Sequence, residues 1–310
     1  MKQSYRYIIY LASLILFLLG LIFSPSASAD FKEKTIKHDF GTTTLTSRPK
    51  KIVVLNNLYS EVLMPLGITP VAATTAQEGS DEFSTLFKKE FKKADVVSVG
   101  WQKTPDLEKI AELEPDLILM TVHQKDLYDK LSQIAPTVGY LIDTEENWDY
   151  TDIALKVADI FDKKSQMKKI LKKTSKKQAA LAKKVQSQFG DKKLMYVRVT
   201  EKDIRYYGYG RMGFLYETYK FNRIADFPAK NMYEIIDTEK IKELNPDLML
   251  VQADSKELLK SKLQKSPVWK ELSAVKNKKV LYADYSTWML GFGVVSQDKI
   301  MEQIQKNWLD

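Results

Sequence analysis

The stretch that decides the fold is residues 106–120, DLEKIAELEPDLILM, because it returns as residues 237–251, DTEKIKELNPDLMLV, 131 positions later and without a gap. Ten of the fifteen positions are identical. Each copy reads as a short helix opening on Asp, a Pro-Asp turn and a buried apolar strand. Helices, turns and strands draw on a limited alphabet, which explains part of the match, but an ungapped repeat of this length argues for two lobes of related build. The same alternation surrounds the first copy. Strands are predicted at 51–55, 69–73, 96–99 and 116–120, with helices at 60–66, 106–113 and 125–134, and Gly67 stops the first helix. Strands and helices in alternation predict a parallel sheet covered by helices. The second half opens on a strand at 194–199 and closes on a strand at 280–283 and a helix near 297–309. Residues 147–188 contain neither Pro nor Gly and are predicted as one interlobe helix of about 60 Å. The expected division is an N-terminal lobe over 30–146, that helix over 147–188, and a C-terminal lobe over 189–310.

A chain of 310 residues, 44% of them hydrophobic, is long enough for two packed units, since single cores stop growing near ~250–300 residues. Segment 1–29 begins with Lys2 and Arg6, continues through an apolar run over 8–23, and ends in small residues up to Ala29. That order is a secretory signal peptide with cleavage expected after Ala29; the alternative for a run of this length is a retained anchor. Either way the protein is expected outside the cytoplasm, on the extracellular face of the cell membrane or in a periplasm. With no cysteine, disulfides, thiol catalysis, thiolate metal sites and attachment of a lipid through an N-terminal cysteine are excluded. The formal charge is +8; loss of Lys2 and Arg6 leaves 46 basic against 40 acidic residues, or +6. Export makes nucleic acid the weakest explanation of that excess. Much of it lies between Lys163 and Lys184, where ten lysines read as the solvated face of a helix.

In open parallel sheets, ligands collect at the carboxyl ends of strands, and two facing lobes make a cleft there. In the first half those ends carry Asn56, Asn57 and Tyr59, then Trp101 and Lys103, then His123; in the second half, Arg198, the run RYYGYGR over 205–211, and Trp288. Arg, Lys, Tyr and Trp suit an anionic or oxygen-rich ligand with flat apolar parts, because guanidinium groups bind oxygens in pairs and rings supply area. A preassembled iron chelate has that character. Trp101 and Trp288 suit a core equally well, and Arg205 and Lys103 suit a solvated surface. Arg198, inside a β-branched strand, needs a partner. Tyr206, Tyr209 and Arg211 are assigned to a Gly-containing loop, where binding residues concentrate.

Direct coordination of a bare metal fits poorly, since the only histidines are His38 and His123 and no His/Asp/Glu cluster has ligand spacing. Haem needs an axial ligand, for which Met212 and Tyr209 are the candidates. There is no nucleophile–base pair, no G-x-S-x-G and no phosphate-binding glycine loop; Gly208, Gly210 and Gly213 fit the spelling G-x-G-x-x-G, a weak signal in a Tyr/Arg-rich segment. The residues therefore favour a binding protein, without cofactor, over an enzyme.

Several short motifs together resemble the iron-siderophore and cobalamin group of periplasmic-binding-protein-like receptors of ABC importers. They are RPKKIVV at 48–54, LGITPV at 66–71, VG at 99–100 followed by PDLEKI at 105–110, EPDLI at 114–118, LSQIAPTV at 131–138, and VWK at 268–270 with AVK at 274–276. The resemblance covers the chain beyond the leader and implies two Rossmann-like lobes joined by one long helix, a monomeric carrier, an iron(III)-siderophore ligand and a permease partner. Within the group, YGYGRMG at 207–213 with Leu215-Tyr216 looks most like the ferric-hydroxamate receptors, which implies ligand contacts from Arg211 and Tyr209 and from Trp288. Haem, ferric catecholate and ferric citrate remain the alternatives. The resemblance also implies that Glu108 and Glu239, at equivalent places in the repeat, dock on permease arginines; the plain reading of both is a first-turn carboxylate favoured by the helix dipole. Two departures stand out: the absent lipid-bearing cysteine, and His123 where several relatives carry Arg.

Overall fold

The structure, a computed structural model, describes residues 31–141, 150–291 and 293–310. The leader over 1–29 and residues 147–149 of the predicted connector lie outside the described residues.

A polar hairpin comes first, β1 (Lys34–His38) paired antiparallel with β2 (Gly41–Leu45). The N-terminal lobe is built on β3 (Ile52–Val54), β4 (Ala72–Thr75), β5 (Val97–Trp101), β6 (Thr104–Pro105), β7 (Leu117–Thr121) and β8 (Thr137–Tyr140), in the order β6-β5-β4-β3-β7-β8. All pairs are parallel except the short edge strand β6. β3, β7 and β8 are buried at every position, as strands covered on both faces must be, so they read as continuous apolar runs. One core lies on each face of this sheet: Val54, Leu117 and Leu119 on one side, Val53, Ile118 and Met120 on the other.

The C-terminal lobe carries β9 (Leu194–Val199), β10 (Ile204–Tyr207), β11 (Tyr233–Ile236), β12 (Leu248–Ala253) and β13 (Val280–Tyr282), ordered β11-β10-β9-β12-β13. β9, β12 and β13 are parallel; β10 runs antiparallel to both its neighbours, β9 and β11. The expected parallel sheet thus forms, with one reversed strand near this edge. The cause is local: Thr200 N–H donates to Asp203 O at 2.9 Å and its hydroxyl to Asp203 Oδ1 at 2.8 Å, closing a tight turn that only an antiparallel return can use.

The repeat is structural as well as textual. Asp106 and Asp237 each cap a helix, accepting from Lys109 N at 3.0 Å and Lys240 N at 2.7 Å. Glu114 and Asn245, a non-identical pair, both adopt left-handed backbone with φ of 46° and 37°. Asp116 accepts from Lys50 N and Lys51 N, and Asp247 from Lys193 N, so each ties the start of its strand to the start of the neighbouring one.

The predicted connector is two helices rather than one, Thr151–Ile160 and Lys164–Phe189. Asp162 breaks them with φ of 59°, and its carboxylate bonds Lys34 Nζ at 2.5 Å and Arg48 Nη2 at 3.0 Å. The second helix has 26 residues and spans about 39 Å, still enough to pass from one lobe to the other. It packs on Thr151–Ile160, on the Met64–Leu66 turn and on the C-terminal helix Val294–Ile304.

Candidate functional site

The lobes meet near the carboxyl ends of their strands. Hydrogen bonds cross the seam from three places in the N-terminal lobe: Asn57 Nδ2 donates to Leu290 O at 3.1 Å, Thr85 donates from N–H to Ser286 Oγ at 3.1 Å and from Oγ1 to Asp284 at 3.5 Å, and Glu61 accepts from Ser296. Glu61 is wholly buried, on the helix Asn57–Leu63. One of its oxygens takes both the N–H and the hydroxyl of Ser296 at 2.7 Å, completing the cap of a helix that belongs to the other lobe.

On the N-terminal side an amide network fixes the loop after β5. Asn56 caps its helix through Leu58 N at 2.9 Å and donates to Gln102 Oε1 at 2.8 Å. Buried Gln124 accepts from Thr121 N at 2.8 Å and donates to Leu55 O and, in a short bond, to Gln102 O. Gly100 has φ of 81°, a left-handed conformation that a side chain would strain, and a Cβ there would meet Thr104 O at 3.3 Å. This loop presents Trp101, half-buried, with Lys103 Nζ 5.4 Å from its ring centroid. His123 lies beside them and keeps an exposed edge; partial desolvation of its ring, and then the neighbouring Lys103 charge, hold its pKa below the ordinary 6.5. The structure therefore brings Trp101, Lys103 and His123 together.

On the C-terminal side, Arg198 and Arg205 are direct cross-strand partners on β9 and β10. Like charges so placed repel, and each arginine has its own carboxylate. Arg198 donates from Nε and Nη2 to a single oxygen of Asp254 at 3.0 and 2.8 Å and lies over the Tyr285 ring at 4.9 Å. Arg205 bonds Asp203 at 2.7 Å and covers Tyr233 at 4.5 Å. Burial opposes the Arg198 charge, but Asp254 outweighs it and leaves the guanidinium pKa above its usual value. Tyr285 adjoins Ser286, which touches the other lobe, so Arg198 stands close to the seam. Tyr209 is half-buried, edge-on to Phe227 at 5.3 Å and beneath the exposed Arg223.

Three expected contact residues lie in the interior instead. The segment assigned to a loop is a strand ending at Tyr207 and a helix Tyr209–Glu217, with Gly208 alone between them. A Cβ at Gly208 would meet Pro228 O at 1.8 Å, so close approach, not flexibility, requires this glycine. Tyr206 is 1% exposed and packs edge-on to Phe227. Trp288 is fully buried, donates Nε1–H to Gln303 Oε1 at 2.7 Å and stacks on Tyr196. Arg211 is 4% exposed and donates to Gly291 O at 3.4 Å and, in a short bond, to Met289 O; burial pushes its pKa down to about 10, which still leaves it charged at neutral pH. Glu108 and Glu239 are exposed in the first turns of their helices, as the repeat requires.

The structure adds Asp254, Tyr285, Glu61 and Arg223 to these residues. The repeat held a signal for the first, because Asp254 lies 131 positions after His123. Both follow the last strand of their copy. Glu61 was visible as a lone acid inside Leu58-Tyr59-Ser60-Glu61-Val62-Leu63. Among the described residues no group of three or more His, Asp or Glu side chains is placed to hold a metal ion, and no helix is long and apolar enough to cross a membrane.

Comparison with known proteins gives a consistent answer. The family model described as "Periplasmic binding protein" matches residues 52–287. The Fe(3+)-citrate-binding protein YfmC of Bacillus subtilis is 27% identical, covering 91% of this chain and 88% of its own length. The iron(3+)-hydroxamate-binding protein FhuD of the same organism is 28% identical over 84% of this chain and 82% of its own. Among solved structures, the petrobactin-binding protein YclQ of Bacillus subtilis superimposes with a TM-score of 0.77 at 25% identity, covering 89% of this chain and 99% of that one. With the match spanning most of its length and both lobes, the chain belongs to the periplasmic binding protein family, whose members bind substrates for transport and are not enzymes.

Proposed function

We propose that this protein is the extracytoplasmic receptor of an ABC importer and captures a ferric siderophore at the seam between its lobes, with a hydroxamate chelate as the favoured ligand. Charge balance at the site carries the choice of chelate. Arg198 and Arg205 are neutralised by Asp254 and Asp203, and the depressed pKa of His123 leaves it uncharged at neutral pH. The buried Arg211 charge is set against buried Glu61; Lys103 and Arg223 are exposed and make no salt bridge among the described residues, so the excess positive charge is small. Three hydroxamates neutralise iron(III), whereas three catecholates leave a strongly anionic complex whose burial demands matching cations. A near-neutral chelate therefore fits best. The similarity to FhuD supports the reading. Ferric citrate is the second reading, favoured by the resemblance to YfmC and by Asp254, which engages Arg198 through one oxygen that a ligand carboxylate can replace.

In this account Trp101 and Tyr209 supply ring area, Arg198 and Lys103 donate to chelate oxygens, and Arg211, Tyr206 and Trp288 hold those groups in place. His123 adjoins the ligand, and Glu108 and Glu239 present the loaded receptor to the permease. Arg198→Gln is expected to weaken ferric-hydroxamate binding at least tenfold, about 1.4 kcal/mol, measured by quenching of tryptophan fluorescence. An unchanged dissociation constant in a variant that melts like the parent removes Arg198 from the site.

A further inference from the structure

The helix Lys164–Phe189 holds nine lysines and no acidic residue. The chain beyond residue 29 carries 46 basic and 40 acidic residues; setting aside those nine leaves 37 against 40. The whole positive excess of the protein therefore belongs to one helix, and the rest is slightly acidic. The apolar face of the helix, Met167, Thr174, Leu181, Val185 and Phe189, is buried, so the lysines occupy the other side. Two are compensated: Lys164 by Asp159 and Lys177 by Asp298. Lys168, Lys172 and Lys176 form a row, with Lys169 and Lys173 beside it; all five are exposed and make no salt bridge among the described residues. Residues four apart on a helix are about 6 Å apart along its axis. Like charges at this spacing destabilise a helix, and among the described residues no carboxylate pairs with any of these five.

We propose that this lysine face is a docking surface for a linear polyphosphodiester of the cell envelope, of the poly(glycerol phosphate) kind. A flexible chain with one negative charge per repeat can follow a row of cations at this spacing, releasing counterions as it binds. Position supports the choice. The helix packs on the Met64–Leu66 turn and runs into the start of β9, so it lies on the side remote from the strand carboxyl ends, whereas Glu108 and Glu239 begin helices that start at those ends. The receptor can hold an envelope polymer at its back while its seam faces a permease. This rests on the extracytoplasmic reading but not on which chelate is bound.

The test titrates the purified protein with fluorescently labelled poly(glycerol phosphate) at several salt concentrations, beside phosphatidylglycerol vesicles and single-stranded DNA. Polymer binding that weakens steeply with salt, falls at least tenfold in K168Q/K172Q/K176Q, and is unchanged in the control K89Q/K92Q/K93Q supports the proposal. Ferric-chelate affinity should stay the same in both variants, which separates this surface from the ligand site. Equal losses in the two variants, no loss in either, or tighter binding to vesicles or to DNA than to the polymer overturns it.

Discussion

Replacing Glu61 with alanine removes the carboxylate through which one lobe caps a helix of the other. The side chain is fully buried and one oxygen accepts two bonds of 2.7 Å from Ser296. Hydrogen bonds to a charged group contribute about 1.5–3 kcal/mol each, and they are not additive when they share an acceptor. Removing one partner of a buried polar arrangement costs about 3–5 kcal/mol, because the groups left behind stay desolvated. A loss near the middle of that range corresponds to a fall in Tm on the order of 10 °C for a protein of this size. Gly293 would place a Cβ 2.8 Å from Glu61 Cβ, so no side chain stands ready to fill the gap. Thermal unfolding followed by circular dichroism measures the effect. Glu61→Gln, which keeps shape and one acceptor, should lose less than half as much. A double-mutant cycle with Ser296→Ala should be clearly non-additive. A Glu61→Ala melting point within about 2 °C of the parent, or additive behaviour in the cycle, refutes the cross-lobe cap.

Other substitutions probe the wall behind the site. Gly208→Ala forces its new carbon against Pro228 O and Asn231 O and should cost about 3 kcal/mol or more; a denaturant midpoint equal to the parent's contradicts this. Trp288→Ala should cost about 3–5 kcal/mol of stability, with ligand affinity falling only as a consequence, whereas a variant of full stability and weak binding would make Trp288 a contact residue. The histidines predict a pH dependence. His38 and His123 are both held below 6.5, chiefly by burial, so the unfolded chain binds protons more readily than the folded one. Their contribution to stability is therefore fully present above about pH 6.5 and is lost as pH falls toward the folded values. Tm recorded from pH 8 to 5 should decline below that point, and His38→Gln/His123→Gln should flatten the decline; an unaltered slope assigns it elsewhere.

What the sequence made legible follows from which forces are local. The repeat revealed two lobes because Asp caps, a left-handed residue and a Pro-Asp strand start recur at fixed spacing, and these are decided within a few residues. The break at Asp162 escaped notice because no Gly or Pro marks it; its carboxylate is held by Lys34 and Arg48, more than 100 positions away. The antiparallel edge of the second sheet was hidden for a similar reason, since Thr200–Asp203 turn chemistry is spelled in ordinary polar residues. Site residues divided by depth. Trp101, Lys103, His123 and Arg198 follow strands or end them, so their placement is readable from strand ends. Tyr206, Arg211 and Trp288 have the same chemistry, but their burial depends on packing partners such as Phe227, Met289 and Gln303, which no local pattern names.

The central claim is that a near-neutral ferric chelate binds where the lobes meet. Its most direct measurement is a fluorescence titration of the purified protein with a ferric trihydroxamate, a ferric tricatecholate and ferric citrate in parallel. The account predicts that the hydroxamate binds at least tenfold more tightly than either competitor, a difference of about 1.4 kcal/mol or more. A tighter complex with the tricatecholate, or no saturable quenching by any of the three, contradicts it.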